Sequence, residues 1–552
     1  MPTYELRSLK LPKLTGAALK AYAAAAETSG VRAPLISNMM SSGGIHKLRS
    51  VRLDEAPTFT PLVPPARDFP AYEPFEPGDR PANVPYHTIL DFARAYRSGA
   101  LTPLQVAERF IAALEASEQG AAPLRAFSAS EPANLLAQAR AATRRFAEGR
   151  PLGLLDGVPL ALKDEIDMLP YPTSVGTAFL GAAPAESDST VAARLREAGA
   201  MLTGKTNMHE IGINPNGSNA HWGSVRNPFN DVCDTGGSSS GSAAAVAAGL
   251  VPAALGADGG GSIRIPASLC GVVGLKPTYG RISEVGAAPL CWSVAHLGPL
   301  AASVADAALV YAAVAGPDPL DANTRVQPPV TLAGWNRPDL RGLRLGIYKD
   351  WFEHAAPEVI SVCRALLEEL HRAGADICTI TIPELDEIRV AHVITILSEM
   401  AVCMGNYREQ RKQHSASTRM SLAMGEAFTA TDYLWAQRMR TRALAHFAAA
   451  FQQVDAIITP STALAAQPIP AGGLSDGWSD LSTDTELMRY AFPANFTGNP
   501  AISFLAGYDS RGLPISMQAI GRHWEEHLLL RVAFNAERLV QRRLPPRYYP
   551  LF

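Results

Sequence analysis

The chain has 552 residues, of which 47% are hydrophobic and 18% charged, enough apolar content for a sizeable core and too little charge for general disorder. Its net charge is −3, from 49 basic and 52 acidic residues, so the composition gives no electrostatic support for nucleic-acid binding. Six scattered cysteines without a CxxC pair, a start without a signal-peptide run and no apolar stretch long enough to span a membrane together predict a cytoplasmic protein.

Residues 1–85 differ in character from the rest of the chain. Thr15 is placed to cap a short alanine-rich helix that runs to Ala26, and nine prolines between Pro57 and Pro85 favour an extended, irregular path. Such a segment cannot form a core of its own. Two interpretations stay open: a strap laid over the main domain, or an arm that joins two copies into a homodimer.

From Tyr86 the pattern becomes that of a folded domain, predicted to extend over residues 86–552. Thr102 and Gln105 have the spacing of a capping box, with Pro103 at the first helical position. Further helices are predicted near 131–147, 189–198 and 357–372, and short buried strands at 158–162, 201–203, 343–348 and 377–382. Because helices alternate with strands, the prediction is an α/β fold with a mostly parallel sheet covered on both faces.

The strand at 158–162 leads directly into Lys163. Desolvation lowers the pKa of a lysine from about 10.4, and a neutral amine can act as a base. Asp164 need not oppose this, because consecutive strand residues point to opposite faces. A solvated lysine at a strand end is the alternative, and only two serine clusters further along the chain favour the chemical interpretation.

The first cluster, GGSSSGS at 236–242, runs into an alanine-rich helix that Gly249 ends. Its serines therefore lie at a helix N-terminus, where free N–H groups favour negative charge, although N-cap and turn serines are a common structural use. Residues 237–241 also satisfy G-x-S-x-G, the nucleophile elbow of α/β-hydrolases. That pattern would make Ser239 the nucleophile with a downstream histidine, for which the candidates are His296, His446 and His523.

The second cluster, GADGGGSIRIP at 256–266, places three glycines directly before Ser262. Glycines let main-chain N–H groups approach a substrate carbonyl and stabilise a developing oxyanion. Asp258 and Arg264 flank the loop and are placed to pair, solvated surface charges being the alternative. The run lacks the Gly-Lys-Ser/Thr of a Walker loop, and the chain has neither a metal-ligand pattern nor a dinucleotide fingerprint, so no metal or cofactor is expected.

Taken in order, the segments of residues 86–545 resemble the amidase signature family, whose Ser-cisSer-Lys triad cleaves amide bonds. Matching stretches include GVPLALKDEID at 157–167, GGSSSGSAAAVAAG at 236–249, GADGGGSIRIPASLCGVVGLKPTYGRIS at 256–283 and GLPISMQAIG at 512–521. The resemblance implies one domain with a mixed central sheet. It also implies Lys163 as general base, Ser238 as a proton relay held by a cis peptide bond, and Ser262 as the nucleophile that becomes acylated.

The resemblance extends to residues around the triad. The implied oxyanion hole consists of the backbone N–H groups of Gly259, Gly260, Gly261 and Ser262, and the implied supporting residues are Ser239, Asp258 and Arg264. Departures from the family pattern at Ser240, Ala257 and Ala295 leave the triad untouched and the substrate open. The predicted function is hydrolysis of a carboxylic amide to an acid and an amine or ammonia.

Three other functions stay open. The chain could be the glutamine-hydrolysing subunit of a tRNA-dependent amidotransferase, an ester-preferring hydrolase, or a non-catalytic binding protein on the same scaffold. Residues 391–452 are predicted to be helical and to serve either as core or as a lid over a pocket for an apolar or aromatic acyl group. The residues behind that expectation are Met400, Met404, Met420, Met424, Met439, Phe428, Tyr433 and Trp435.

Overall fold

The computed structural model describes residues 4–65, residue 75 and residues 83–552. The strands of this part of the chain are β1 (Leu14–Thr15), β2 (Phe127–Ala129), β3 (Pro159–Lys163), β4 (Met201–Thr206), β5 (Arg226–Asn227), β6 (Asn230–Asp234), β7 (Ala253–Ala257), β8 (Val273–Lys276), β9 (Leu297–Ala301), β10 (Arg344–Ile347), β11 (Asp376–Thr379), β12 (Ala456–Pro460), β13 (Trp478–Ser479), β14 (Ala501–Tyr508) and β15 (Pro514–Gly521). Its α-helices are α1 (Gly16–Glu27), α2 (Arg32–Ser42), α3 (Ile45–Ser50), α4 (Ile89–Ser98), α5 (Pro103–Ser117), α6 (Pro132–Ala147), α7 (Thr190–Glu197), α8 (Ser240–Ala247), α9 (Arg264–Leu269), α10 (Val304–Val314), α11 (Lys349–Phe352), α12 (Pro357–Arg372), α13 (Leu385–Met404), α14 (Ala416–Gly425), α15 (Ala430–Gln453), α16 (Gly473–Asp476), α17 (Leu481–Met488), α18 (Phe492–Phe496) and α19 (Glu526–Leu539).

A mixed sheet of eleven strands forms the centre of the described part of the molecule, in the order β11-β10-β12-β15-β14-β8-β9-β7-β3-β4-β2. The predicted α/β fold, with a mixed sheet flanked by helices, is confirmed. The expectation of mostly parallel pairing needs correction, since four of the ten neighbouring pairs among these strands run parallel. The connections between strands explain the difference. A short turn at 509–513 joins β14 to β15, and because this connection contains no crossover helix, the two strands run antiparallel.

Local capping signals predicted helix starts with mixed success. At α5, Thr102 Oγ1 accepts the N–H of Gln105 at 3.2 Å and Gln105 Oε1 accepts the N–H of Thr102 at 2.9 Å, so the predicted capping box is confirmed. At α1, Thr15 holds the N-cap position, but its side chain makes no capping hydrogen bond. Helices α6, α7 and α12 match their predicted ranges to within one residue at each end.

Two parallel neighbours at the centre of the sheet position the candidate site. Strands β3 and β7 are buried along their whole length and pair in parallel, with Leu162 opposite Leu255. Parallel neighbours end at the same edge of a sheet. Lys163, the last residue of β3, therefore emerges beside the loop that follows Ala257 at the end of β7.

The N-terminal residues pack against the body of the same chain. Strand β1 pairs with β13, helix α1 contacts α14, and α3 contacts α13 and α15. Arg49 forms a bidentate ion pair with Asp432 at 2.7 and 2.9 Å, and Lys47 Nζ lies 2.6 Å from Glu387. These contacts hold residues 14–50 on the helices α13 to α15. The irregular path predicted for the proline-rich stretch falls largely outside the described residues.

One helical segment of the described chain, Leu385–Gln413, is long and apolar enough to cross a membrane by length and composition alone. In the folded protein 56% of its most apolar window is buried. Its first part, α13, packs against α14, α15 and α18. The apolar character of this segment is thus explained by packing inside the protein.

Candidate active site

Lys163 and Ser238 meet directly at the end of β3. Lys163 Nζ donates to Ser238 Oγ at 2.8 Å and to the carbonyl oxygen of Ala257 at 3.3 Å. Both side chains are buried, and the peptide bond between Gly237 and Ser238 is cis, as the resemblance implied. The fold therefore brings a buried amine onto a hydroxyl that lies 75 positions away in the chain.

The two acidic residues after Lys163 point in different directions. Asp164 faces Lys205, whose Nζ lies 3.4 Å from the carboxylate. Glu165 turns back toward the candidate site, and its Oε2 lies 3.0 Å from Lys163 Nζ. The period of two along an extended chain puts residues i and i+2 on one face, which accounts for the contact between Lys163 and Glu165. The Glu165 carboxylate and the Lys163 amine are therefore within ion-pair distance.

Ser239 uses its hydroxyl to tie the two serine clusters together. Its Oγ donates to the carbonyl oxygen of Ala257 at 3.1 Å and accepts the N–H of Ala257 at 3.3 Å. The histidines considered for a nucleophile elbow bond to other residues: His296 to the carbonyl of Val294, His446 to the carboxylate of Glu384 and His523 to the carbonyl of Thr497. This geometry favours a supporting role for Ser239.

Ser262 joins the same site through its main chain. Its carbonyl oxygen accepts the N–H of Ser239 at 3.1 Å, which fixes the second cluster against the first. The residue is 9% exposed, whereas Lys163 and Ser238 are each 1% exposed. Of these three residues, Ser262 is the one that a substrate can reach most easily.

The glycine run before Ser262 leaves room for main chain only. Gly261 has a φ of +123°. A Cβ at this position would overlap with a side chain of α9 and with the side chain of the residue that directly precedes α18. Its N–H donates to Asp258 Oδ1 at 2.6 Å, which differs from the oxyanion role implied by the resemblance. Within the described residues, no acceptor takes the N–H groups of Gly259, Gly260 or Ser262. These three donors are therefore available to a substrate oxygen.

The expected pair of Asp258 and Arg264 is present and completely buried. Arg264 Nε and Nη2 each donate to the Asp258 carboxylate at 3.0 Å, and Asn495 Nδ2 donates to it at 2.9 Å. Burial alone raises the pKa of the Asp258 carboxyl, but the Arg264 guanidinium outweighs that effect and holds the pKa well below its usual range. The ionised carboxylate fixes the loop by accepting the N–H of Gly261.

Three side chains that hold the loop, those of Asn495, His392 and Gln518, were not anticipated. His392 Nε2 lies 2.8 Å from the carbonyl oxygen of Gly259, and burial lowers the pKa of His392 to about 4, so the ring is neutral and donates to that oxygen. Gln518 Oε1 accepts a hydrogen bond from Arg264 at 2.6 Å. Gln518 lies within the stretch 512–521 that carries the resemblance, whereas no local signal marks His392.

An apolar cavity of about 170 Å³ lies beside the glycine loop. Two of its lining side chains touch the loop: Met488 Cε would lie 2.7 Å from a Cβ placed on Gly260, and Ile396 Cδ1 3.2 Å from one on Gly259. Ile396 and Met488 are therefore the residues that connect the cavity wall with the glycine loop. Within the described chain, no group of three or more histidine, cysteine, aspartate and glutamate side chains is arranged to hold a metal ion.

The segment 391–452 contributes only part of its apolar residues to this cavity. Its lining members are Val393, Ile396, Leu397, Met420, Ser421 and Met424. Met400, Met404 and Met439 belong to the core, and Trp435 packs against it. Phe428 and Tyr433 line a different cavity of about 680 Å³ near Trp292. Helical spacing alone could not separate these three groups.

Comparison with known proteins identifies relatives along nearly the whole chain. A family profile described as Amidase matches residues 106–530. The fatty acid amide hydrolase of Oryza sativa subsp. japonica is 40% identical over 580 residues, which cover 98% of this chain and 95% of that protein. A glutamyl-tRNA(Gln) amidotransferase subunit of Thermosynechococcus vestitus is 37% identical over 431 residues, covering 73% and 88%. The solved structure of native peptide amidase from Stenotrophomonas maltophilia superimposes with a TM-score of 0.70 at 29% identity, covering 84% and 99%.

Proposed function

We propose that this chain, which belongs to the amidase family and is a hydrolase acting on amides, cleaves the amide of an apolar acyl group. The cleavage proceeds through an acyl-enzyme on Ser262. The products are a carboxylic acid and an amine or ammonia. The observation that carries the proposal is the buried hydrogen bond between Lys163 and Ser238, next to a glycine loop with three available N–H donors.

The reaction begins with a proton relay. Neutral Lys163 takes a proton from Ser238 while Ser238 takes one from Ser262, and the Ser262 oxygen attacks the amide carbonyl. The N–H groups of Gly259, Gly260 and Ser262 stabilise the negative charge that develops on the carbonyl oxygen.

The relay then runs in reverse. Lys163 returns its proton through Ser238 to the leaving nitrogen, the carbon–nitrogen bond breaks, and the amine departs from the acyl-enzyme. Water loses a proton to the same relay as it attacks the acyl carbon, which releases the acid and restores the Ser262 hydroxyl. Asp258, Arg264 and Ser239 position the loop throughout and exchange no proton.

The apolar cavity supports the choice of acyl group. Its lining residues Ile396 and Met488 lie against Gly259 and Gly260, so an apolar space close to the loop is available to an apolar acyl group, which loses its water shell favourably there. The fatty acid amide hydrolase relative covers 98% of this chain, against 73% for the amidotransferase relative. The same acyl-enzyme could form from an ester, so amide preference belongs to the proposal, and the cytoplasmic location stays a prediction.

Labelling with a fluorophosphonate probe tests the nucleophile. We expect mass spectrometry to place one adduct on the peptide that contains Ser262, and Ser262→Ala to abolish both labelling and amide hydrolysis. Ser239→Ala is the matched control: it keeps Ser262, and we expect the label to stay there. An adduct on Ser239 would replace the proposed mechanism with a nucleophile elbow, and complete absence of labelling would favour a non-catalytic binding protein.

A further inference from the structure

We propose that the N-terminal segment, residues 9–45, is part of the acyl-binding site and makes it selective for long apolar acyl groups. The inference rests on the proposed function, because it assigns the apolar cavity to the acyl group. The segment precedes residues 106–530, which match the family. It therefore lies outside the stretch that the family profile matches.

The N-terminal segment forms a large share of the cavity wall. It contributes eight lining residues: Leu9, Leu11, Pro12, Leu14, Tyr22, Met39, Gly43 and Ile45. The wall next to the glycine loop comes from Ile396 and Met488 instead. An acyl group that starts at the loop and continues through the cavity must therefore contact the N-terminal segment once it is long enough.

Hydrogen bonds and an ion pair hold this wall in place. The N–H of Leu11 donates to Ser482 Oγ at 2.8 Å, and Ser482 Oγ lies 3.1 Å from the carbonyl oxygen of Leu11. Lys13 Nζ lies 3.0 Å from the Asp480 carboxylate. A wall fixed in this way presents a constant shape to a ligand and lowers the cost of ordering it on binding.

A second anchor lies at the turn between α2 and α3. The buried Arg389 of α13 donates to the carbonyl oxygen of Gly43 at 3.0 Å and pairs with Asp386 at 3.0 Å. Gly44 has a φ of +79°, and a Cβ there would lie 3.3 Å from Arg389 Nη2. The turn that carries Gly43 and Ile45 into the cavity wall is thus fixed to the helix that contacts the glycine loop through His392.

Two ionisable side chains of the lining are compatible with an apolar ligand. Burial raises the pKa of Asp484 to about 8, so its carboxyl is mainly uncharged at neutral pH. The charge of Arg389 is balanced by Asp386. The cavity wall therefore carries no unbalanced charge from either residue toward an acyl chain.

Substitutions that fill the cavity from the N-terminal side test the inference. Leu11→Trp and Met39→Trp add bulk to the wall, and Lys10→Trp adds the same side chain at a neighbouring exposed position. We measure kcat/KM for a butyryl and a dodecanoyl anilide. The two filling variants should lower the value for the dodecanoyl substrate by about tenfold or more and leave the butyryl value within about twofold, because a pocket discriminates by the volume it offers. Lys10→Trp should change neither.

Leu11→Ala, compared with Lys10→Ala, gives the same test without added bulk. We expect a selective loss on the dodecanoyl anilide from Leu11→Ala, and thermal unfolding checks that all variants are folded. Equal losses on both substrates, or no loss in any folded variant at Leu11 and Met39, would overturn the inference. A wild-type protein that hydrolyses neither anilide would instead contradict the proposed function, so the two failures are distinct.

Discussion

Lys163 lies between the carboxylate of Glu165 and the hydroxyl of Ser238, which it deprotonates in the proposed mechanism. The amine is 2.8 Å from Ser238 Oγ and 3.0 Å from Glu165 Oε2. In the proposed mechanism Lys163 is the base, so its amine must be unprotonated when it takes the proton of Ser238.

Lys163→Ala should remove nearly all amide hydrolysis. Loss of a general base costs about 10²–10⁴ in rate, and more when the base also activates the nucleophile. Lys163→Arg should be equally inactive, because a guanidinium does not give up its proton in a protein. Steady-state rates of amide hydrolysis at one fixed pH check the result, with the wild type active and both variants nearly inactive. Near-normal turnover by a variant with a folded circular dichroism spectrum would show that another residue is the base.

At the scale of elements, buried polar groups join helices that the sequence pattern alone would leave independent. Asp306 of α10 accepts the N–H of Ile89, the first residue of α4, at 2.9 Å, and its carboxyl is almost completely buried. Burial raises the pKa of Asp306 to about 8. Between the ordinary aspartate pKa of about 4 and this value, the folded protein keeps a proton that the unfolded chain releases.

The stability that Asp306 contributes should therefore be complete below about pH 4 and be lost as the pH rises toward about 8. The loss is about 1.4 kcal/mol per pH unit inside this window. Asp306→Asn carries no titrating group, so thermal unfolding should show a smaller fall in Tm between about pH 6 and about pH 8 than the wild type. The exposed Asp54→Asn serves as control and should keep the wild-type slope. Identical slopes for wild type and Asp306→Asn would contradict the assignment.

At the scale of the molecule, the cavity draws its wall from distant parts of the chain. Residues of the N-terminal segment, α13, α14 and α17 meet around one apolar space, and none of these elements encloses it alone. The proposed preference for an apolar acyl group would therefore be a property of the assembled fold. Lys163 and the glycine loop, by contrast, lie at the ends of two adjacent strands, β3 and β7.

A series of amides measures this preference directly. Because each buried methylene adds about 0.8 kcal/mol of favourable transfer, kcat/KM should rise from acetamide through longer alkyl amides until the cavity is filled. Aromatic acyl amides should also exceed acetamide. Glutamine should be a poor substrate, since its charged groups would face an apolar wall. A clear preference for glutamine or other small polar amides would favour the amidotransferase interpretation.

Several features of the site could be predicted from local sequence. The glycine run and Ser262, the serine cluster around Ser238 and the strand that ends on Lys163 each carry a signal within a few residues. The Asp258–Arg264 pair follows from their spacing across one loop. Glu165 was predictable in principle, because a period of two puts it on the same face as Lys163.

Other features depend on contacts between residues far apart in the chain. His392 reaches Gly259 from α13, the N–H of Gly261 is taken by Asp258, and the cavity needs residues 9–45 beside α17. The direction of pairing between strands also depends on such contacts. The alternation of helices and strands does not show which connections reverse the chain without a helix, as the turn between β14 and β15 does. The sequence by itself determined which residues are candidates for the chemistry, since the glycine, serine and lysine patterns are each local. Only the tertiary structure decided which N–H donors are available and which side chains line the apolar cavity, because hydrogen-bond partners and packing are selected in space.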